Sequence, residues 1–163
     1  MRPAIRICPL KQFLTLVKQE GTDGKAAVIS TSFDIPRSLP EGLDCVILQY
    51  DDIDREIPGR SLSDGDARKA ADFIRSHSSF QGVLYCCCDS GVSRSSAMAA
   101  AASRFLGGDD LLIWRDPRFS PNPLVYDAVC RSLGMTLSDE ELDFRLETSR
   151  RALRDAIRGQ KST

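Results

Sequence analysis

Val83-Leu84-Tyr85-Cys86-Cys87-Cys88-Asp89-Ser90-Gly91-Val92-Ser93-Arg94-Ser95 is the stretch on which the fold turns. Gly82 to Cys87 is a nearly continuous apolar run. Such runs suit a central strand of a parallel sheet covered on both faces. A loop with Gly91 at its middle follows, and Arg94 and Ser95 open an alanine-rich helix. This layout sets the Cys88 thiol on the floor of a cup of backbone N–H groups, with a guanidinium on the rim. Inward N–H groups at a helix start favour an anion. The cup therefore suits a phosphate dianion, with Cys88 placed to attack it. A bare Cys-x5-Arg arises by chance about 0.6 times in such a chain, but requiring Gly three residues after the Cys and Ser or Thr after the Arg lowers this to about 0.006. The extended pattern occurs once, at Cys88. A Cys at the end of an apolar strand is otherwise a core residue, and the Gly, Arg and Ser around this one decide for chemistry.

Outward from this loop, strands alternate with helices. Ala4–Cys8, Ala26–Ser30 and Asp44–Tyr50 read as three further strands. Leu10, Phe13, Leu14 and Val17 keep helical spacing, and Ala67, Ala70, Ala71 and Ile74 do so after a start at Ser63 and Asp66. The helix after the loop is expected from Arg94 to Leu106, with Gly107 as its stop. Asn122-Pro123 opens another helix that closes at Gly134. Ser138 and Glu141 form a capping box for the last helix, whose apolar stripe is Leu142, Leu146, Leu153 and Ile157. The tail from Gly159 is expected to fray. Residues 31–42 and 53–62 read as loops. The pattern predicts an α/β fold: a single domain over residues 1–163, with a mostly parallel sheet of four to five strands and helices on both faces. Ligands of such sheets sit beyond the C-terminal strand ends. There the ends of the third and fourth strands are expected to meet and bring Asp51-Asp52 to Cys88.

The composition is ordinary for a chain of 163 residues, with 42% hydrophobic residues and a net charge of −1. That balance argues against a nucleic-acid partner. No apolar run reaches membrane-spanning length and the N-terminus lacks the apolar core of a signal peptide. A cytoplasmic, reducing location and no membrane partner are expected. The 6 Cys are accordingly expected to be free thiols. With one His and no paired Cys-x2-Cys, no metal site is expected.

The chain resembles the cysteine-dependent protein tyrosine phosphatases, and within them the dual-specificity branch and its small bacterial single-domain members. Cys88, Gly91, Arg94 and Ser95 fill four of the five fixed places of the pattern His-Cys-x-x-Gly-x-x-Arg-Ser/Thr. The resemblance extends to the strand ending at Asp51-Asp52, to the helix with Ala70-Ala71-Asp72-Phe73-Ile74, and to Pro121-Asn122-Pro123, about residues 43–134 in all. Cys87 stands where the family has its His.

The resemblance implies a phosphatase-like fold and a phosphomonoester hydrolase acting on phosphotyrosine, and also phosphoserine or phosphothreonine, in proteins through a phosphocysteine intermediate. Cys88 is then the nucleophile. Arg94 grips the phosphoryl oxygens, Ser95 hydrogen-bonds the thiolate, and Asp89, Ser90, Gly91, Val92, Ser93 and Arg94 form the phosphate-binding loop. The family carries its general acid on the loop after the strand that ends here at Gln49-Tyr50. Asp52 is the first choice, with Asp51 and Asp54 as competitors. Asp116 before Pro117 is a weaker candidate, by analogy with the low-molecular-weight tyrosine phosphatases. The loop positions Asp89, Ser90, Val92 and Ser93 carry no Lys or Arg, which favours phosphoprotein over phosphoinositide substrates. A phosphorylated protein or peptide is the expected partner, a phosphate or sulfate ion can occupy the cup, and no cofactor is expected.

Two rivals stand beside this reading. One is a non-catalytic phosphoprotein-binding module, suggested by the missing His. The other is a thiol redox or sulfur-transfer protein, suggested by the triple Cys. Cys86, Cys87 and Cys45 are candidate resolving thiols for an oxidised Cys88. His77 is read as an exposed helix cap, Leu112-Ile113-Trp114 as core, and Arg150, Arg151, Arg154 and Arg158 as a solvated helix face or a partner surface.

Overall fold

The structure, a computed structural model, describes residues 1–34 and 39–161. Its elements run β1 (Ala4–Pro9), α1 (Leu10–Glu20), β2 (Lys25–Thr31), β3 (Asp44–Gln49), α2 (Asp64–Ser76), β4 (Val83–Cys88), α3 (Arg94–Phe105), α4 (Leu111–Trp114), α5 (Pro123–Ser132) and α6 (Asp139–Lys161). The four strands form one parallel sheet in the order β1-β4-β2-β3. The two most buried strands, β2 and β4, take the centre and are buried from Ala26 to Thr31 and from Leu84 to Cys88.

Alternation along the strands divides the core in two. Ala26, Val28, Leu84 and Cys86 face α2, α3 and α5. Ala27, Ile29, Tyr85 and Cys87 face Phe13 and Val17 of α1. Helix α3 is buried from Arg94 through Ala102. Its run of alanines is what a helix needs to be covered on all sides. The caps follow the sequence. The Ser63 hydroxyl accepts from the Asp66 N–H at 3.1 Å, and Asn122 Oδ1 accepts from the Leu124 and Val125 N–H groups at 3.0 and 3.2 Å. Ser138 and Glu141 cap each other reciprocally.

Several expectations are corrected. Strand β4 runs one residue further, to Cys88. The ends of β3 and β4 are not neighbours, because β2 lies between them; Cys45 on β3 is therefore not on a strand adjoining the three cysteines. Helix α4 was not expected. It buries Trp114 edge-on to the Tyr126 ring at 5.2 Å, whereas Leu112, expected in the core, is 66% exposed. His77 is the C-cap of α2, but it is not exposed. It is half-buried between the rings of Phe73 and Phe80, and its Nε2 lies 2.7 Å from Asp44. Helix α6 continues through Gly159 to Lys161; residues 162–163 lie outside the described ones. Ile157 of its expected stripe is 53% exposed, and Arg145 and Ser149 are the buried residues of α6. Of the loop expected at 31–42, Thr31 belongs to β2, and residues 35–38 lie outside the described ones. All six cysteines are free. Among the described residues no helix is long and apolar enough to cross a membrane, and no cluster of His, Cys, Asp and Glu is arranged to hold a metal ion.

Arg145 anchors α6 to the body. Its Nε and Nη2 donate to Asp110 at 2.8 and 3.1 Å, and the Tyr126 hydroxyl donates to the same carboxylate at 2.6 Å. Burial pushes the Asp110 carboxyl up, but the Arg145 and Tyr126 hydrogen bonds outweigh it and hold it below the usual range. Arg145→Met leaves that charge buried without its partner, and urea unfolding should report a loss of about 3–5 kcal/mol. A depressed carboxyl stabilises the fold above its unfolded value of about 3.9, and this contribution is lost as pH falls through the folded value. The gap between wild type and variant should therefore close in acid. A gap that stays constant down to pH ~2 would exclude Asp110 as its source.

Candidate active site

The site forms where β4 gives way to α3. Residues 89–93 turn over the C-terminal edge of the sheet, and Gly91 makes the turn at φ +71°. A Cβ there would lie 2.6 Å from Pro9 N and 3.0 Å from the Cys8 carbonyl carbon, so the loop rests directly on the end of β1. This close approach and the left-handed backbone both require glycine. It aims the Gly91 N–H at Cys88 Sγ, 3.2 Å away, while the Ser95 hydroxyl lies 3.1 Å from the same sulfur. Cys88 is 1% exposed. Burial pushes its thiol up, but the Ser95 hydroxyl and the N–H groups of Ser95, Gly91 and Val92 outweigh this and hold it below the ordinary thiol value. These are donors to a sulfur anion, as expected where a helix starts over a thiol.

Arg94 is 5% exposed and lies at the first turn of α3. Its Nη1 donates to the Tyr50 carbonyl at 2.7 Å and to the Ser32 hydroxyl at 2.8 Å. Its Nη2 donates to Asp89 at 2.8 Å. Nε is buried and among the described residues has no partner. Asp89 is itself held by the Thr31 hydroxyl at 2.9 Å and the Ser32 N–H at 3.1 Å. Burial raises the Asp89 carboxyl, and the Ser32, Thr31 and Arg94 bonds bring it below its usual range. The guanidinium is thus fixed by the ends of β2 and β3 and by the first residue of the loop.

Asp52 lies past the end of β3, exposed. Its Oδ1 accepts from the Ser93 hydroxyl at 2.9 Å and from Asn122 Nδ2 at 2.8 Å. Asn122 Nδ2 also donates to the Ile53 carbonyl at 2.9 Å. One buried amide therefore caps α5 and ties the acidic loop to it. Asp52 reaches the loop through Ser93 even though β2 separates β3 from β4. Asp51 turns elsewhere and accepts from Arg60 Nε at 2.9 Å. Asp54 is exposed on the wall of the same cleft as Asp52. Asp116 is bound to Arg118 and lines a different cleft, with Ile5 and Ile7 of β1. The cleft beside Asp52 encloses about 620 Å³ and runs past Ser93 and Asn122 to Leu146, Ser149 and Arg150. Arg150, read as part of a solvated face, borders it.

The structure thus brings Cys88, Gly91, Ser93, Arg94, Ser95 and Asp52 together, and leaves Asp51 and Asp116 outside. Cys87, in the place of the family's His, packs on the opposite face of the sheet, in the cluster around Phe13 and Val17. The anchoring roles of Asp89, Thr31, Ser32 and Asn122 were missed. The one local signal was a carboxylate directly after Cys88, in a loop otherwise built of donors.

The donor set sets a pH dependence. Alkylation of Cys88 by iodoacetamide should reach half its plateau rate below pH ~8.5, the usual thiol value. Ser95→Ala removes one donor to the thiolate, so the midpoint should move to higher pH. An unmoved midpoint would mean that the hydroxyl does not serve the sulfur.

No family model matches the chain, and no curated protein matches it. Among solved structures the chain is similar to human DUSP28, at 13% identity over 94% of this chain and 96% of that one, with a TM-score of 0.49. It is similar to PTPMT1 in complex with PI(5)P, at 14% identity over 94% of each chain and a TM-score of 0.44. It is also similar to Tk-PTP in its active form, at 18% identity over 93% of each chain and a TM-score of 0.41. All three are proteins of the cysteine-dependent tyrosine and dual-specificity phosphatase fold.

Proposed function

We infer that the chain is a phosphomonoester hydrolase that works through a phosphocysteine at Cys88. One observation carries this reading. The Cys88 sulfur is met by the Gly91 N–H and the Ser95 hydroxyl at the C-terminal end of a central parallel strand, and its thiol is held below its ordinary pKa. A buried structural cysteine has no use for such donors.

The reaction has two steps. The Cys88 thiolate attacks phosphorus in line with the leaving oxygen; the P–S bond forms as the P–O bond breaks, and Asp52 gives its proton to the departing oxygen. Asp52, now a carboxylate, takes a proton from a water that attacks the phosphocysteine. The P–S bond breaks, phosphate leaves, and the thiolate re-forms against the Ser95 hydroxyl. Arg94 and the loop N–H groups meet the charge on the non-bridging oxygens. Arg94 Nε, buried and without a partner among the described residues, is the donor free for a phosphoryl oxygen, while Asp89 and Tyr50 hold the rest of the fork.

Phosphotyrosine in proteins, with phosphoserine and phosphothreonine beside it, is the substrate class. The loop offers no basic side chain to a second phosphate, and the cleft past Ser93 has room for peptide flanking the phosphorylated residue. Purified protein should release phosphate from para-nitrophenyl phosphate and from phosphotyrosine peptides without added metal. Arg94→Lys keeps the charge but loses the planar fork, and kcat/KM should fall about 10²–10³-fold. A wild-type protein that binds phosphate and phosphopeptide with no turnover would be the non-catalytic binding module instead.

A further inference from the structure

The hydrolytic scheme leaves one pair of nucleophilic groups unused. Cys8 of β1 and Cys87 of β4 are register partners on adjacent parallel strands, and their sulfurs lie 3.7 Å apart. Adjacent strands are roughly 4.8 Å apart, inside the roughly 4.4–6.8 Å Cα separation that a disulfide spans. No other pair of thiols is within hydrogen-bonding contact among the described residues. Cys86 and Cys88 alternate to the other face of β4, and Cys45 lies on β3 beyond β2. Cys8 is half-buried whereas Cys87 is fully buried, so an oxidant reaches Cys8 first.

We propose that Cys8 and Cys87 are a peroxide-sensitive thiol pair, closing into a disulfide behind the phosphate-binding loop and weakening its hold on phosphate. The Cys8 thiolate attacks the outer oxygen of a hydroperoxide; the O–O bond breaks and the alkoxide or hydroxide leaves with a proton. Cys8 is then a sulfenic acid. The Cys87 sulfur attacks it, the S–O bond breaks, and the oxygen leaves as water with the Cys87 proton. Two thiols are oxidised by two electrons in all, and the hydroperoxide is reduced to an alcohol or water. The hydrogen bond from Cys87 to Cys8 holds the Cys8 thiol below its usual value, against the opposing effect of burial, which favours Cys8 as the attacking sulfur.

The coupling follows from what the two residues touch. Closure must bring the sulfurs from 3.7 Å to about 2.05 Å. Cys8 and Pro9 form the backbone on which Gly91 rests, and Cys87 directly precedes Cys88. The disulfide therefore pulls on both supports of the cup and displaces the Gly91 N–H. The coupling, though not the disulfide, rests on the hydrolase reading above.

The test uses Cys88→Ser, so that oxidation of the nucleophile contributes nothing. After one equivalent of hydrogen peroxide, two of the five remaining thiols should disappear from a thiol titration. A non-reducing peptide map should join Cys8 to Cys87, and Cys8→Ala in the same background should lose the bridge. Calorimetric titration with inorganic phosphate should weaken about ten-fold on oxidation, the effect of one displaced hydrogen bond, and recover with dithiothreitol. A bridge to any other cysteine, or thiols that stay intact, overturns the proposal. A Cys8–Cys87 bridge with unchanged phosphate affinity overturns the coupling. Absence of phosphate binding in the reduced variant, together with no turnover in reduced wild type, overturns the hydrolase reading and leaves the disulfide standing.

Discussion

Replacing Cys88 by Ser should lower turnover of para-nitrophenyl phosphate by about 10⁴-fold or more, the scale of losing a covalent nucleophile, while inorganic phosphate still binds. The two halves have separate causes. Turnover needs a sulfur anion, and the donors of Gly91, Val92 and Ser95 favour one by holding the Cys88 thiol below its ordinary value against the effect of burial. The hydroxyl of a serine starts far above that value, so the same donors leave it neutral. Binding needs the cup and the guanidinium, and neither belongs to Cys88. Arg94 is fixed by Tyr50, Ser32 and Asp89, and the loop is shaped by Gly91 resting on Pro9. Loss of phosphate binding along with turnover would mean that the variant had collapsed the loop, and the result would then say nothing about nucleophilicity. Retained turnover above a hundredth of wild type would remove Cys88 from the mechanism. A phosphate titration beside the kinetic assay separates these cases.

The parts of this site that could be read from the sequence are those that one loop delivers by itself. Cys88, Gly91, Arg94 and Ser95 lie within a single strand–loop–helix passage, where local geometry dictates which groups converge. The groups that hold them in place come from far along the chain. Thr31 is 58 residues from Asp89, and Asn122 is 70 from Asp52. Only the sheet order brings them together, and periodicity does not reveal that order. A parallel crossover lets the next strand land on either side, so the insertion of β2 between β3 and β4 had no local signal. Asp52 is expected at the cup through adjacent strand ends, whereas it reaches the cup through Ser93.

Other misses have similar physical origins. The four residues of α4 are too few to show a helical repeat. The serines around His77 suggested exposure, while Phe73 and Phe80, four residues before and three after it, were the informative neighbours. Ile157 kept the period of a buried stripe on a helix whose buried residues end at Ser149. Periodicity identifies the face of a helix that can be covered, but not how far the covering extends.

Asp52→Ala should reduce kcat by about 10²–10⁴-fold, with the loss growing as the leaving group worsens. Para-nitrophenolate departs readily without a proton, phenolate less so, and the alkoxide of a serine hardly at all. A general acid therefore matters least for para-nitrophenyl phosphate and most for phosphoserine peptides. A purely structural role for Asp52 would cost all three substrates the same factor, so the slope across leaving groups decides the matter. The geometry gives Asp52 a prepared position. Ser93 and Asn122 both donate to Oδ1 and, among the described residues, no group donates to Oδ2, the oxygen left to carry the proton. Asp51 provides the control, because its carboxylate is engaged by Arg60 and does not line the cleft beside Asp52. Asp51→Ala should change kcat by no more than a few-fold, with no dependence on the leaving group. If Asp52→Ala keeps full activity on phosphoserine peptides, the acid lies elsewhere on the same cleft wall. Asp54 then becomes the residue to test, since it is the other carboxylate exposed there.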